Sequence, residues 1–198
     1  MDEKKFWNRI THEATDNFDQ VSLRILEATK FYLSKDDRLL DVGCGNGSML
    51  FMLRDYVSAV SGIDMSDEAI RLARRKIANA RFYEGSIEDT YIEINEYSVI
   101  TAFNVLQYIG DRERFFTRCH ELLTDNGTLI IAVPCIADST SLVSKLMLFA
   151  SKLGFIPRLS KIRHDDLKRE VYNAGFTLIQ DTPLSHRFHE ILVVAKKR

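Results

Sequence analysis

Nothing in the bulk composition commits this chain to a compartment or a charged partner. It has three cysteines, Cys44, Cys119 and Cys135, an odd count without metal-site spacing. Neither a disulfide framework nor a metal centre is expected, and a reduced, cytoplasmic chain follows. Excess charge of one sign is missing: 27 Lys and Arg against 28 Asp and Glu leave a formal charge of −1. That balance gives no global pull toward nucleic acid or a membrane surface. No uninterrupted apolar run reaches the ~18 residues of a membrane span, and Met1–Lys5 leads into no apolar core like that of a signal peptide. Internal repeats, low-complexity tracts and linkers are lacking too. What remains is 198 residues, 45% of them hydrophobic, which suits a single domain over 1–198 with a sizeable core.

Short apolar runs alternate with amphipathic stretches. Residues 3–34 read as helical, and 1–35 as an N-terminal helical cap. Strand-like runs lie at 38–43, 58–63, 80–84, 97–103 and 127–133, with helical patterns at 47–56, 66–78 and 111–123 between them. Such runs imply βαβ units and a parallel sheet buried on both faces. Right-handed crossovers then put every strand's carboxyl end on one edge. Further on, 140–156 is rich in apolar side chains, 164–174 reads as a helix, and 175–179 and 188–195 read as strands. The short turn expected at Thr182–Ser185 requires those last two strands to be antiparallel.

The most informative stretch is Leu39-Leu40-Asp41-Val42-Gly43-Cys44-Gly45-Asn46-Gly47, a strand running into a glycine-rich turn and then a helix. Glycine there permits positive φ and close approach of a ligand to the main chain. The spacing is Gly-x-Gly-x-Gly; Ser48 stands where a dinucleotide fingerprint has its third glycine. Asp64, directly after the second strand, can accept both hydroxyls of an adenosine ribose. An adenosine-containing ligand without a pyrophosphate suits both features.

These residues resemble motif I of class I S-adenosylmethionine-dependent methyltransferases. Gly62-Ile63-Asp64-Met65-Ser66 resembles the ribose-binding second motif, and Phe82–Glu88 the adenine-binding third. Phe103–Ile109 with Asp111–Arg114 is similar to the fourth-strand loop and helix of the small-molecule members, and Leu122–Ile130 to their helix-to-fifth-strand turn. The resemblance covers about 36–195. It implies an α/β, Rossmann-like, doubly wound seven-stranded sheet of order 3-2-1-4-5-7-6 with strand 7 antiparallel. It also implies S-adenosylmethionine as the cofactor and S-adenosylhomocysteine as its product. Carried over, Asp41, Gly43 and Gly45 would flank the methionine moiety, Asp64 the ribose, and Met65 the adenine face. Ser86 and Ile87 would sit at the adenine edge and Phe103 on the methionyl side. An acid is common in the family where Ser86 stands, so here a hydroxyl replaces a carboxylate.

Methyl transfer from a sulfonium needs chiefly proximity and exclusion of water. A base is needed only where the acceptor must lose a proton, and no catalytic signature stands out. His164 and His186 are the best-placed bases, and Tyr108 and Gln107 are expected near the acceptor. Asp111 is expected to cap the following helix, His120 to be structural, and Cys44 to be a small residue beside the ligand. Phe6, Trp7 and Ile10 read either as a lid over the donor or as ordinary helix packing. Residues 138–163 form an inserted helical segment. Its stripe Leu142, Leu146, Phe149, Leu153 reads as core packing, a lid, a dimer contact or a peripheral membrane helix. As a lid it would admit a hydrophobic or aromatic small acceptor whose anionic portion meets Arg158, Lys161 and Arg163. No nucleic-acid partner is expected, and the oligomeric state is left open. The rivals are a nicotinamide-dependent oxidoreductase and a donor-binding sensor or assembly partner without transferase activity.

Overall fold

A computed structural model describes residues 2–13, 18–185 and 189–198. Seven strands, β1 (Arg38–Val42), β2 (Ala59–Asp64), β3 (Arg81–Glu84), β4 (Tyr97–Phe103), β5 (Leu123–Pro134), β6 (Phe176–Ser185) and β7 (Glu190–Lys197), form one sheet of order β3-β2-β1-β4-β5-β7-β6. Strands β1 to β5 are mutually parallel, and β7 runs antiparallel to both β5 and β6. The helices are α1 (Glu3–Glu13), α2 (Gln20–Lys30), α3 (Ser48–Leu53), α4 (Asp67–Lys76), α5 (Arg112–Leu122), α6 (Leu142–Lys152) and α7 (His164–Asn173).

The central strands are mainly apolar because both faces are covered, and their buried polar pair, Asp41 and Thr101, shares a hydrogen bond. Successive residues point to opposite sides. Leu40, Ile100 and Leu129 join Phe115 and Phe116 of α5 and Leu167 of α7 in one core layer. Leu39, Val99 and Ile130 join Leu26 of α2, Leu50 of α3 and Ile70 of α4 in the other.

The structure differs from the sequence expectation at several boundaries. The helix expected over 3–34 is two helices, the second opened by Asp19, whose carboxylate accepts the Ser22 N–H at 2.7 Å. The helix expected over 47–56 ends at Leu53 and tightens into a 3-10 turn, Arg54–Tyr56. Strand β5 begins at Leu123 and passes Asn126 at φ +60° before Gly127. Thr182–Ser185 is strand, not turn: β6 pairs with β7 as far as Ser185 opposite Glu190. Pro183 is tolerated there because β6 is an edge strand and needs no outward donor.

Candidate functional site

The carboxyl ends of β1, β2 and β4 open into a cavity of about 460 Å³, a size suited to a small-molecule ligand. Its floor is the turn after β1. Gly43, Gly45 and Gly47 all have positive φ, +73°, +53° and +77°, and the Gly43 and Cys44 N–H groups both donate to the Ile63 carbonyl at 2.8 and 3.1 Å. The glycines differ in role. A Cβ on Gly43 would stand 2.6 Å from Val105 Cγ2, whereas one on Gly45 would meet nothing within 4 Å. Gly45 thus leaves a bare stretch of main chain facing open space. Gly43→Ala combines backbone strain with overpacking and should cost about 2 kcal/mol. Urea unfolding checks this; an unchanged midpoint would show that Val105 yields freely.

Asp64 ends β2 at the cavity wall. One carboxylate oxygen accepts the Gly45 N–H and the other the Ser66 N–H, both at 2.9 Å. Burial pushes its pKa up, opposed by those backbone bonds. Met65, Ser86 and Ile87 line the same cavity, with Gly43 and Gly45. The Ser86 hydroxyl donates to Asp89 at 3.0 Å, and Asp89 in turn pairs with Arg114 at 2.8 Å.

Two residues assigned to the donor lie outside the lining. Phe103 turns its ring into the core layer of Leu39 and Leu50. Asn104, at φ +53°, and Val105 take the cavity wall instead. Asp41 sits behind the turn, fully buried, where it accepts the Thr101 hydroxyl at 2.7 Å. Burial drives its pKa up to about 7; the Thr101 bond opposes this and the Asp64 charge adds to it.

Helix α1 closes the cavity from above, supplying Glu3, Trp7, Ile10 and Thr11. It is pinned by polar contacts to the start of α4 and the end of β3. Ser66 donates to Asn8 at 2.6 Å, Asn8 donates to Asp67 at 2.8 Å, and Lys4 pairs with Glu84 at 2.6 Å. Trp7 meets Tyr108 edge to face, ring centroids 4.7 Å apart. Burial raises the Tyr108 pKa, so its phenol keeps its proton near neutral pH and can donate a hydrogen bond.

His164 does not line the cavity; its Nε2 lies 2.9 Å from Asp181 at the start of α7. His186 falls outside the described residues. Gln107 is buried and braces the loop by donating to the Asn104 carbonyl at 2.8 Å. Asp111 caps α5 through the Arg114 N–H at 3.0 Å. His120 packs edge to face on Phe176. The acids that sequence reasoning left unassigned are Glu3 and Glu88. With Asp64 and Asp111 they make four carboxyl groups in the lining, which holds no Lys, Arg or His among the described residues.

A glycine turn after β1, a carboxylate at the end of β2 and a seven-stranded sheet with an antiparallel last strand are the arrangement of the class I methyltransferase fold. The chain belongs to the methyltransferase-domain family, whose model matches residues 33–175. It is 28% identical over 102 residues to the ubiquinone biosynthesis O-methyltransferase of Coxiella burnetii, covering 50% of this chain and 44% of that protein. The chain therefore spans less than half the length of that curated relative. Among solved structures it superposes with a TM-score of 0.79 on a chain of the complex that holds the Haloferax volcanii Trm112 methyltransferase activator. That match has 16% identity and covers 98% of this chain and 96% of the other. A geranyl diphosphate C-methyltransferase from Streptomyces coelicolor, complexed with Mg2+, geranyl diphosphate and S-adenosyl-L-homocysteine, matches at a TM-score of 0.71. Its identity is 13%, with 87% and 77% of the two chains covered.

Proposed function

We propose that this chain transfers the methyl group of S-adenosylmethionine to a small apolar or aromatic acceptor that is uncharged or cationic. The observation that carries the reading is the cavity itself: apolar and aromatic walls, four carboxyl groups and, among the described residues, no lining cation. An anionic acceptor would meet like charge there. The basic residues Arg158, Lys161 and Arg163, expected to receive an anionic portion, do not line it. The O-methyltransferase name of the Coxiella burnetii relative supports a small-molecule acceptor.

When bound, the donor supplies an already activated methyl group, so the chain's task is positioning. Gly45 lets the donor approach the main chain while Gly43 lets Val105 close against the turn, Asp64 accepts from the ribose hydroxyls, and Met65 and Ile87 pack about the adenine. Trp7 and Tyr108 hold the acceptor and keep water out, with α1 as the cover and the whole chain acting as one domain. No histidine reaches the cavity among the described residues. A proton that must leave the acceptor would go to Glu3, Glu88 or water.

Thermal-shift titration with S-adenosylmethionine, S-adenosylhomocysteine and NAD tests the donor. Ligand at 100 times its dissociation constant should stabilise by about 2.7 kcal/mol, and a response to NAD alone would overturn the reading. Product formation across aromatic amines, phenols and carboxylates tests the acceptor. Turnover confined to carboxylates would overturn the charge argument, and donor binding without turnover of any acceptor would favour a binding protein. Trp7→Ala should raise acceptor KM about tenfold while leaving donor affinity within about twofold. Equal losses of both would place Trp7 on the donor.

A further inference from the structure

Helix α6 is mounted with its polar side inward. At 100° per residue, Leu142, Leu146, Phe149 and Leu153 form one stripe and Ser144 and Ser151 lie on the opposite side. The serines face the protein. Ser144 donates to the Ser139 hydroxyl at 2.9 Å; Ser151 donates to the Pro157 carbonyl at 3.0 Å and accepts the Leu159 N–H at 2.8 Å. The stripe faces solvent, with Leu142, Leu146, Phe149 and Leu153 at 80, 63, 58 and 55% exposure. That arrangement removes the core-packing reading of these residues, and none of them lines the cavity.

The helix ends in a rigid stop that extends the same surface. Gly154 has φ +78°, its N–H donates to Ser151 and the Phe155 N–H donates back to Ala150. This paired closure fixes the chain direction, yet Phe155 is left 70% exposed.

Charge surrounds this apolar ridge on one side of the balance only. Between Ser139 and Arg163 there are five basic residues, Lys145, Lys152, Arg158, Lys161 and Arg163, and no acidic one, in a chain whose net charge is −1. All five are exposed, and none makes an ion pair within the described residues. Lys145 and Lys152, seven residues apart, run along one flank of the stripe.

We infer that α6 and the turn after it form a docking face for an anionic lipid surface. The leucines and phenylalanines enter the acyl boundary while the basic residues meet the headgroups. Charge decides the occupant. A second copy seated symmetrically would bring the same unpaired cations together, whereas an anionic bilayer neutralises them. No helix among the described residues is long and apolar enough to cross a membrane, so the contact is peripheral. The segment beyond α6 is fastened to the cavity wall. The Ser160 N–H donates to the Gln107 carbonyl at 2.7 Å and its hydroxyl to the Ile109 carbonyl at 3.0 Å. A docked chain would thereby hold its cavity close to a bilayer in which apolar acceptors dissolve. The inference stands apart from the transferase reading.

Vesicle co-sedimentation of the full chain tests it, comparing phosphatidylcholine alone with phosphatidylcholine mixed with phosphatidylglycerol. Binding is expected to the mixed vesicles and to fall as salt is raised. Leu146→Asp with Phe149→Asp should reduce it at least about tenfold. Lys145→Glu with Lys152→Glu should remove the preference for the anionic vesicles. Unchanged thermal stability of each variant shows that the loss is one of docking. Three outcomes would overturn the inference: no sedimentation with mixed vesicles, equal binding to both vesicle types, or a wild-type dimer that the Leu146→Asp, Phe149→Asp variant converts to monomer.

Discussion

Asp64→Ala is expected to weaken S-adenosylmethionine and S-adenosylhomocysteine binding by about a hundredfold or more, the loss of two charge-assisted hydrogen bonds. The carboxylate has roughly four acceptor sites, and the Gly45 and Ser66 N–H groups occupy one on each oxygen. The residue itself lines the cavity. Burial already disfavours the charged form of this group, so removing it relieves a desolvation cost and the unliganded fold should lose little. Of the two freed N–H groups, that of Gly45 lies at the cavity, where water can reach it. That of Ser66 is buried, at a cost of about 1–3 kcal/mol that the relieved desolvation offsets. Affinity by calorimetry and stability by urea unfolding separate these effects. Donor affinity retained within about threefold would mean that the ribose hydroxyls are held elsewhere. A large fall in stability without ligand would mean that the carboxylate's main task is to shape the glycine turn.

The parallel βαβ half of the sheet was legible because mainly apolar runs alternate with helical periodicity, and the short last connection pointed to antiparallel pairing. The strand order itself came from the resemblance of the glycine turn and the motifs after it to the methyltransferase family. Gly43, Gly45, Asp64, Met65, Ser86 and Ile87 could be placed at the cavity because the fold puts strand ends on one edge. What sequence could not tell is direction. Phe103 is the last residue of β4, and only the strand's parity, fixed by its pairing with β1 and β5, decides that its ring enters the core. The α6 stripe has the spacing of a core helix, and periodicity is identical whether a stripe faces in or out. The signals missed there were Ser144 and Ser151, two small polar residues seven apart that bond to the protein. Asn104 carried a weaker sign, since asparagine tolerates the left-handed conformation found there.

The second large effect is one of pH and belongs to Asp41. Its folded pKa of about 7 against an ordinary 3.8 means the native state holds a proton that the unfolded chain has already lost. Stability of the unliganded protein should therefore fall as pH rises from about 4 to about 7, by on the order of 4 kcal/mol, and level off above. Asp64, also raised by burial, contributes with the same sign, so the comparison needed is between wild type and Asp41→Asn. The amide keeps an acceptor for the Thr101 hydroxyl, now at 2.7 Å from the carboxylate, but cannot ionise. Its stability curve should be flatter over that range. A cationic donor in the cavity, across the glycine turn from Asp41, would reverse the preference. Its ammonium and sulfonium favour the carboxylate, so binding near pH 6.5 should release a fraction of a proton and donor affinity should rise toward pH 7. Calorimetry in two buffers of different ionisation enthalpy measures the released proton directly. If Asp41→Asn releases as much as wild type, the proton comes from another group and Asp41 serves only the turn. If it releases none, Asp41 is where the protein registers the donor's charge.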